Sequence, residues 1–592
     1  MVIEKIGLYG VISLQTFSLF PEYFIAISAI YITITMSLIA YNINGLMFQK
    51  ALSECLGLTL LMSCFLIIND DILNGLPGFN LYAANDSLSL FSKLTICCFS
   101  SIYFFLIADS LKEQLLTSFE YLLILLLAVL GLLLLCSSND LLTAYLSIEL
   151  ISLSSYLLAA FKKNSNYSIE AGVKYFITGA ISSALFLLGS SFIYAYTGSI
   201  YFLDFWELLP SQAEYSYYNS IFTSLYCEST ADFHYNVLCE RSGTSPEMVQ
   251  LLKDSVMYYF ESVIGDNWRE VKGMDILIEN GKSLPSIGDS SSIFGSIPQE
   301  SLAFLEIGMS FILFSVFIKL ALAPFHLWSL DVYEGSPLTS AFFFAVITKL
   351  SLFIFLIRFC YVGMFSFSQE WTFFMMWAAV FSVFVGSFGG LKQRKLKTLL
   401  AYSSVSHMGY GMLALSTVSI LGVRILLFYM IVYMVSGIST WFILLLLRIK
   451  QSKFSLQYNK ELSDLSLLNK SNPAIAFGLA VTIFSVAGLP PLAGFLSKIG
   501  VFLTLLQQKL YFVCVAVILC SVVSTFYYIR LIKVLYFENC LVGKLYYPIK
   551  TNKTLFLSVS IFLLIFLFIN PSVVFLILYS VTNDSLFFDF AV

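Results

Sequence analysis

The sequence predicts an all-α polytopic membrane protein of about fourteen transmembrane helices, built as two inverted five-helix repeats in which helices 7 and 12 are discontinuous. Three observations carry this expectation. Of 592 residues, 59% are hydrophobic and only 11% charged, whereas a soluble domain carries about 25% charged residues. Apolar runs recur along nearly the whole chain, each close to the roughly 20 helical residues that cross a hydrocarbon core about 30 Å thick. Two of the runs, FSVFIKLALAPFHLW (314–328) and FSVAGLPPLAGFLSK (484–498), are broken by prolines with a lysine close by.

Taken in order, the runs place spans near 23–40, 51–68, 88–108, 117–137, 141–161 and 173–197. Eight more fall near 303–327, 337–361, 371–389, 397–416, 421–447, 473–508 with a break, 511–536 and 555–580. Cations gather in alternate connections, at Lys50, Lys112, Lys162 and Lys163, at Lys392 to Lys397, at Arg448 to Lys470 and at Lys544 to Lys553. By the positive-inside rule both termini lie on the outer face. The two proline breaks are five spans apart, an odd number, so equivalent segments run in opposite directions across the membrane. They share an opening FSV, small residues, prolines and a following Phe.

The chain is thereby organised as three N-terminal helices (1–110), the first part of repeat one (111–200), an acidic outer-face insert (201–302), the rest of repeat one (303–361), repeat two (362–540) and a last helix (541–592). From 202 to 302 fifteen Asp and Glu face five Lys and Arg. SPEMVQLLKDSVMYYFESVIGDNW (245–268) within it is expected to form a surface helix starting near Ser245 and Pro246. The insert is a tolerated loop expansion or a docking surface for an accessory subunit.

Eleven cysteines lie mostly in apolar runs, without CxxC pairs or Cys/His arrays at metal spacing. No metal or redox centre is expected, and Cys227, His234 and Cys239 read as disulfide-forming or inert rather than as ligands. No glycine-rich phosphate loop occurs. Glu4 beside Lys5 argues against a basic leader, so no cleaved targeting peptide is expected. High counts of Phe (57) and Tyr (35), with frequent Ile and Asn, fit AT-rich codons and hint at an organellar genome.

A charged side chain at the bilayer centre costs about 2.5 to 3.5 kcal/mol on insertion scales, so those retained face protein or water. Glu149 in span 5, Lys319 in span 7, Lys349 in span 8 and Lys498 in span 12 meet this condition most clearly. Lys349 sits twelve residues from either end of 337–361, too deep to snorkel easily. Pro324 cannot donate to the carbonyl of residue 320, nor Pro490 and Pro491 to those of 486 and 487. Those freed groups must meet protein or water. A helix end, local water and a titratable lysine together make an ion path. Lysine suits relay work because burial disfavours its charged form and a nearby carboxylate restores it. His326 and His407 are either proton carriers near neutral pH or hydrogen-bonded interior residues. Lys174, within the first turn of span 6, either joins the path or snorkels. Asp86 and Lys93, on one helix face, are read as stabilising.

The segments NDLLTAYLSIELISLSSYLL, EAGVKYFITGAISSALFLLGSSFIYAYTG, FIKLALAPFHLWSLDVYEGSP, LKTLLAYSSVSHMGYG and AGLPPLAGFLSK carry a resemblance. Jointly, and in order from LFPEY to FYYIRLIKVLYF, the chain resembles the subunit 2 family of mitochondrial NADH:ubiquinone oxidoreductase (respiratory complex I), among its antiporter-like membrane-arm subunits. The resemblance implies five-helix units over spans 4 to 8 and 9 to 13, and a polar axis for proton transfer at Glu149, Lys319, Lys349 and Lys498. Lys349 separates this family from larger relatives with histidine there, and Lys174 and His407 match further family positions. It also implies coupling to quinone reduction elsewhere in the complex, with NADH, FMN, iron-sulfur clusters and ubiquinone held by other subunits. Membrane-arm subunits and lipid are the expected partners, nucleic acid is not, and the expected location is the mitochondrial inner membrane with both termini toward the intermembrane space. The insert departs from the pattern. The alternatives are a cation/proton antiporter subunit and a non-pumping helix scaffold.

Overall fold

The computed structural model describes residues 19–39, 45–68, 82–114, 116, 118–208, 299–452, 455–458, 461–466, 468–538 and 551–587. The chain divides into two units, Met1–Leu208 with Phe304–Val592, and Leu209–Ala303; the helical bundle forms the first. The expected surface helix and Cys227, His234 and Cys239 lie outside the described residues.

Each predicted span has a helical counterpart. The first six are α1 (Phe20–Ile39), α2 (Gly45–Ile68), α3 (Ser87–Glu113), α4 (Glu120–Ser137), α5 (Leu141–Ala159) and α6 (Asn166–Thr197). Span 7 is split into α7a (Gln299–Leu320) and α7b (Leu327–Gly335). Span 8 is α8 (Leu338–Gly363). Next come α9 (Ser368–Gly390), α10 (Leu396–Leu415) and α11 (Ile420–Leu446). Span 12 is split into α12a (Pro473–Ala487) and α12b (Ala493–Gln507), before α13 (Tyr511–Tyr536). Local chemistry sets several ends: Asp140 caps α5 by accepting from the Thr143 amide at 3.1 Å, and α6 stops at Gly198, whose φ is 71°. Ten described helices are long and apolar enough to cross a membrane. Helices α12a and α12b are each shorter than a full span because the break divides them, and α10 carries the hydroxyl-rich run LLAYSSVSHMGYG in place of apolar residues.

Three expectations need correction. The last span is two helices, α14a (Thr551–Ile569) and α14b (Ser572–Phe587), bent by 78°; Pro571 lacks the amide needed to continue the ladder. The insert begins later than 201, because a short helix, Phe202–Leu208, buries Phe202 and Phe205 completely and sets the Phe202 ring 6.2 Å from that of Phe359 in α8. The basic connection after α11 contains a small antiparallel hairpin, β1 (Arg448–Ser452) with β2 (Ser455–Tyr458). It leaves the class of the fold unchanged.

The packing repeats. Helix α4 pairs with α5 and α8 returns to α4; in the same way α9 pairs with α10 and α13 returns to α9. The C-terminal half of each broken helix lies on the third helix of its unit, α7b on α6 and α12b on α11. Two five-helix units, α4 to α8 and α9 to α13, thus show the same neighbour pattern. Helix α8 is the most enclosed span, with 94% of its apolar window buried, against 28% for α1, α6 and α13. Lys349 therefore stands on the central strut of the bundle, and α6 and α13 on its rim.

Candidate functional site

Both broken helices end in the same way. In α7a the amide of Leu322 donates to the Phe317 carbonyl at 3.0 Å across Ala321, which adopts the left-handed conformation with φ 59°. In α12a the amide of Leu489 donates to the Phe484 carbonyl at 3.1 Å across Gly488, with φ 82°. These are Schellman-type ends, made once with glycine and once with alanine. The correspondence also shifts the register inferred from the shared FSV: Phe317, one turn later than Phe314, is the equivalent of Phe484.

In that register the next equivalence is chemical. The carbonyl of Leu320 accepts a hydrogen bond from Lys349 Nζ at 3.2 Å, and the carbonyl of Ala487 accepts one from Lys498 Nζ at 2.6 Å. Both lysines are buried, 2% and 5% exposed, so each ammonium sits at the negative end of a helix dipole. The freed carbonyls at 320 and 487 meet lysines rather than lipid. Gly488 is needed twice, for its φ and because a Cβ there would come 2.7 Å from the Lys498 stem.

Lys319, in the last turn of α7a, is arranged differently. Its Nζ is buried without a hydrogen-bonding partner, as are Glu149 Oε1 and His326 Nδ1. Lys319 lies in the field of the Glu149 carboxylate, whose other oxygen accepts from Ser152 Oγ at 3.2 Å. His326 precedes α7b, its ring 6.4 Å from that of Tyr402 on α10. Unpaired buried polar atoms cost about 1 to 3 kcal/mol each, so these three set the first break apart from ordinary helix packing.

In the second unit His407 Nδ1 bonds the Tyr429 hydroxyl at 2.6 Å, and His407 lies in the field of Lys498. His407, Tyr429, Tyr433, Ser436, Ser485 and Lys498 share a small cavity, into which the Ser485 hydroxyl brings a further unpartnered oxygen. The Lys498 ammonium also lies 5.4 Å from the Tyr410 ring centroid.

Lys174 stands apart. It is 44% exposed and bridges Glu170, at 2.8 Å, and Asp331 of α7b, at 2.7 Å, holding α6 to the second half of the broken helix without entering the buried group. Asp86 and Lys93 each form an ion pair with another helix. Lys93 pairs with Glu22 of α1 at 2.6 Å, the two being 1% and 4% exposed. Asp86 pairs with Arg358 of α8 at 2.8 Å. Sequence reasoning missed Glu22 and Arg358; a signal existed for Glu22, an acid beside Pro21 at the head of an apolar run. It also missed the tyrosines, for which 35 candidates give no signal. Among the described residues no group of three or more His, Cys, Asp or Glu is arranged to hold a metal ion.

The fold and the site together define a polytopic helical protein with lysine-capped breaks at matching positions of two five-helix units. The chain belongs to the NADH:quinone oxidoreductase/Mrp antiporter transmembrane family, whose model matches residues 138–230 and 291–524, more than half of the chain. It is 32% identical over 493 residues to NADH-ubiquinone oxidoreductase chain 2 of Marchantia polymorpha, covering 83% of this chain and 82% of that one. It is 29% identical over 519 residues to NADH-quinone oxidoreductase subunit N of Pelagibacter ubique, covering 88% and 89%. Its fold matches a chain of respiratory complex I from Thermus thermophilus at TM-score 0.65 and 22% identity, over 94% and 98% of the two chains. A chain of the Mrp complex from a Dietzia species matches at 0.67 and 13% identity, over 96% and 97%.

Proposed function

We propose that this chain is a proton-translocating membrane-arm subunit of NADH:ubiquinone oxidoreductase, driven by quinone reduction in other subunits. The single observation that carries the reading is the pair of lysine-capped helix breaks, at Leu320 and Ala487, each beside a second titratable group. Glu149 and Lys319 form the first station, Lys349 the next, and His407 with Lys498 the last. A proton bound or released at one lysine alters the field at its neighbour, so transfer needs no covalent chemistry. In this reading NADH, FMN, iron-sulfur clusters and ubiquinone belong to partner subunits, and the chain lies in the mitochondrial inner membrane with both termini toward the intermembrane space. Its partners are other membrane-arm subunits and lipid, and the insert is open to an accessory subunit. The family name and the identity to chain 2 of Marchantia polymorpha support this.

Lys319→Met in the assembled complex, reconstituted in sealed vesicles, is the test. The variant is expected to assemble and to lose proton translocation; pumping at the normal rate would leave Lys319 a scaffold residue and overturn the reading. The match to an Mrp chain favours a second reading, an antiporter subunit. Co-purification with NADH:quinone reductase activity decides between them, since the antiporter reading predicts none.

A further inference from the structure

Between the two lysine-capped breaks the proposed stations leave a gap, from Lys349 in the first unit to His407 and Lys498 in the second. Helix α11 fills it with two tyrosines. Tyr429 and Tyr433 are four residues apart, so they share one helix face. The Tyr433 hydroxyl donates to the carbonyl of Ala345 at 2.7 Å, one turn before Lys349 on α8. The helix is irregular at that point. Its regular turns stop at Val346 and resume at Thr348, and the neighbouring carbonyl of Phe344 takes Thr348 Oγ1 at 2.9 Å and the Tyr333 hydroxyl at 3.4 Å. From there the Tyr433 ring lies 5.5 Å from the His407 ring, and the Tyr429 hydroxyl is bonded to His407 Nδ1 at 2.6 Å. Both tyrosines line the cavity that also holds Lys498 and the unpartnered Ser485 hydroxyl.

We propose that Tyr433 and Tyr429 are relay residues that carry protons between the Lys349 side of the first unit and the His407–Lys498 cavity of the second, an inference that rests on the proton-translocating reading of the chain. A phenolic hydroxyl suits this place because it is at once donor and acceptor. In the transfer the Tyr433 hydroxyl turns from the Ala345 carbonyl into the cavity it shares with Tyr429 and His407: a proton given up by the Lys349 ammonium, which is left neutral, arrives on a lone pair of Tyr433, the hydroxyl's own proton passes across the cavity to the Tyr429 oxygen, and the Tyr429 proton passes to Nδ1 of His407. No bond other than O–H and N–H changes, and no electron is transferred. The two units, each with a lysine at its own break, are then joined by hydroxyls from a helix of the second unit that reaches into the first.

The experiment uses the assembled complex in sealed vesicles, with Tyr429→Phe and Tyr433→Phe, which keep the ring and remove one oxygen. Tyr361→Phe is the control, because Tyr361 is also a buried hydroxyl donating to a backbone carbonyl, that of Leu415 at 2.8 Å. Lys498→Met is the reference for the proton-translocating reading itself. The two relay variants are expected to lose proton translocation at least fivefold, with an increased solvent deuterium isotope effect on the residual rate, while Tyr361→Phe keeps both at wild-type values. Wild-type rate and isotope effect in both relay variants, with Lys498→Met inactive, would overturn this inference alone. Pumping retained in Lys498→Met would overturn the proton-translocating reading. Equal loss in Tyr361→Phe, or failure of both relay variants to assemble, would assign the hydroxyls to folding and overturn the inference as well.

Discussion

Lys349 and Lys498 reach their matching places by different routes, one from the helix after the break and one from the second half of the broken helix itself. What they share is the acceptor, the last helical carbonyl before a left-handed residue. That residue is Ala321 in one unit and Gly488 in the other, and the difference makes opposite predictions. The left-handed conformation costs an ordinary residue roughly 1 to 2 kcal/mol, so Ala321→Gly is expected to raise the thermal midpoint of the assembled complex slightly and spare pumping. Gly488→Ala adds that cost and forces the Lys498 stem aside, so it is expected to lower both the midpoint and the pumping rate. Equal effects of the two substitutions would show that the ends are not equivalent. At this scale the sequence was informative at the deepest lysines: Lys319, Lys349 and Lys498 stand out in oil-like surroundings, and the carbonyls freed by Pro324 and Pro491 could be numbered in advance, whereas the buried charges of Glu22 and Arg358 were missed. It was silent on Tyr429 and Tyr433, which are ordinary residues in an apolar helix until their neighbours are known.

Among the elements, the broken helices and the enclosed α8 position the site, and α1 to α3 sit beside it. The buried Glu22–Lys93 pair ties α1 to α3, and the Asp86–Arg358 pair ties the start of α3 to α8. Breaking a buried pair by removing one partner costs about 3 to 5 kcal/mol, because the other charge stays buried and alone. Glu22→Gln is therefore expected to reduce the amount of assembled complex strongly while each surviving complex pumps normally, measured as rate per assembled unit. A normal yield would contradict the clamp, and a lost rate at normal yield would move the pair into the relay. Helix existence was legible from apolar length, and the breaks from proline. The bend in α14 was missed because Pro571 falls inside a run that is otherwise long enough for one span. The irregular turn before Lys349 had no proline to announce it; hydroxyls of Tyr333, Thr348 and Tyr433 meet the carbonyls of Phe344 and Ala345 there.

Over the whole molecule, the two units show the same neighbour pattern, yet their buried chemistry differs. Both leave buried polar atoms unpartnered, on Glu149, Lys319 and His326 in the first and on Ser485 in the second, but only the second has a bonded His–Tyr pair, His407 with Tyr429, beside its lysine. Lys174, exposed and already paired, belongs to neither group. The topology of the two units could be inferred from span count alone, because five spans between equivalent breaks imply inversion, whereas the true register of the breaks needed the backbone. The central claim is that the buried charges of the first unit survive in the membrane because water joins them. The most direct measurement is a density map of the intact complex at a resolution that shows ordered water around the break in α7. The account predicts water within hydrogen-bonding distance of Lys319 Nζ, Glu149 Oε1 and His326 Nδ1; dry apolar packing around all three, at a resolution where water elsewhere is plain, would contradict it.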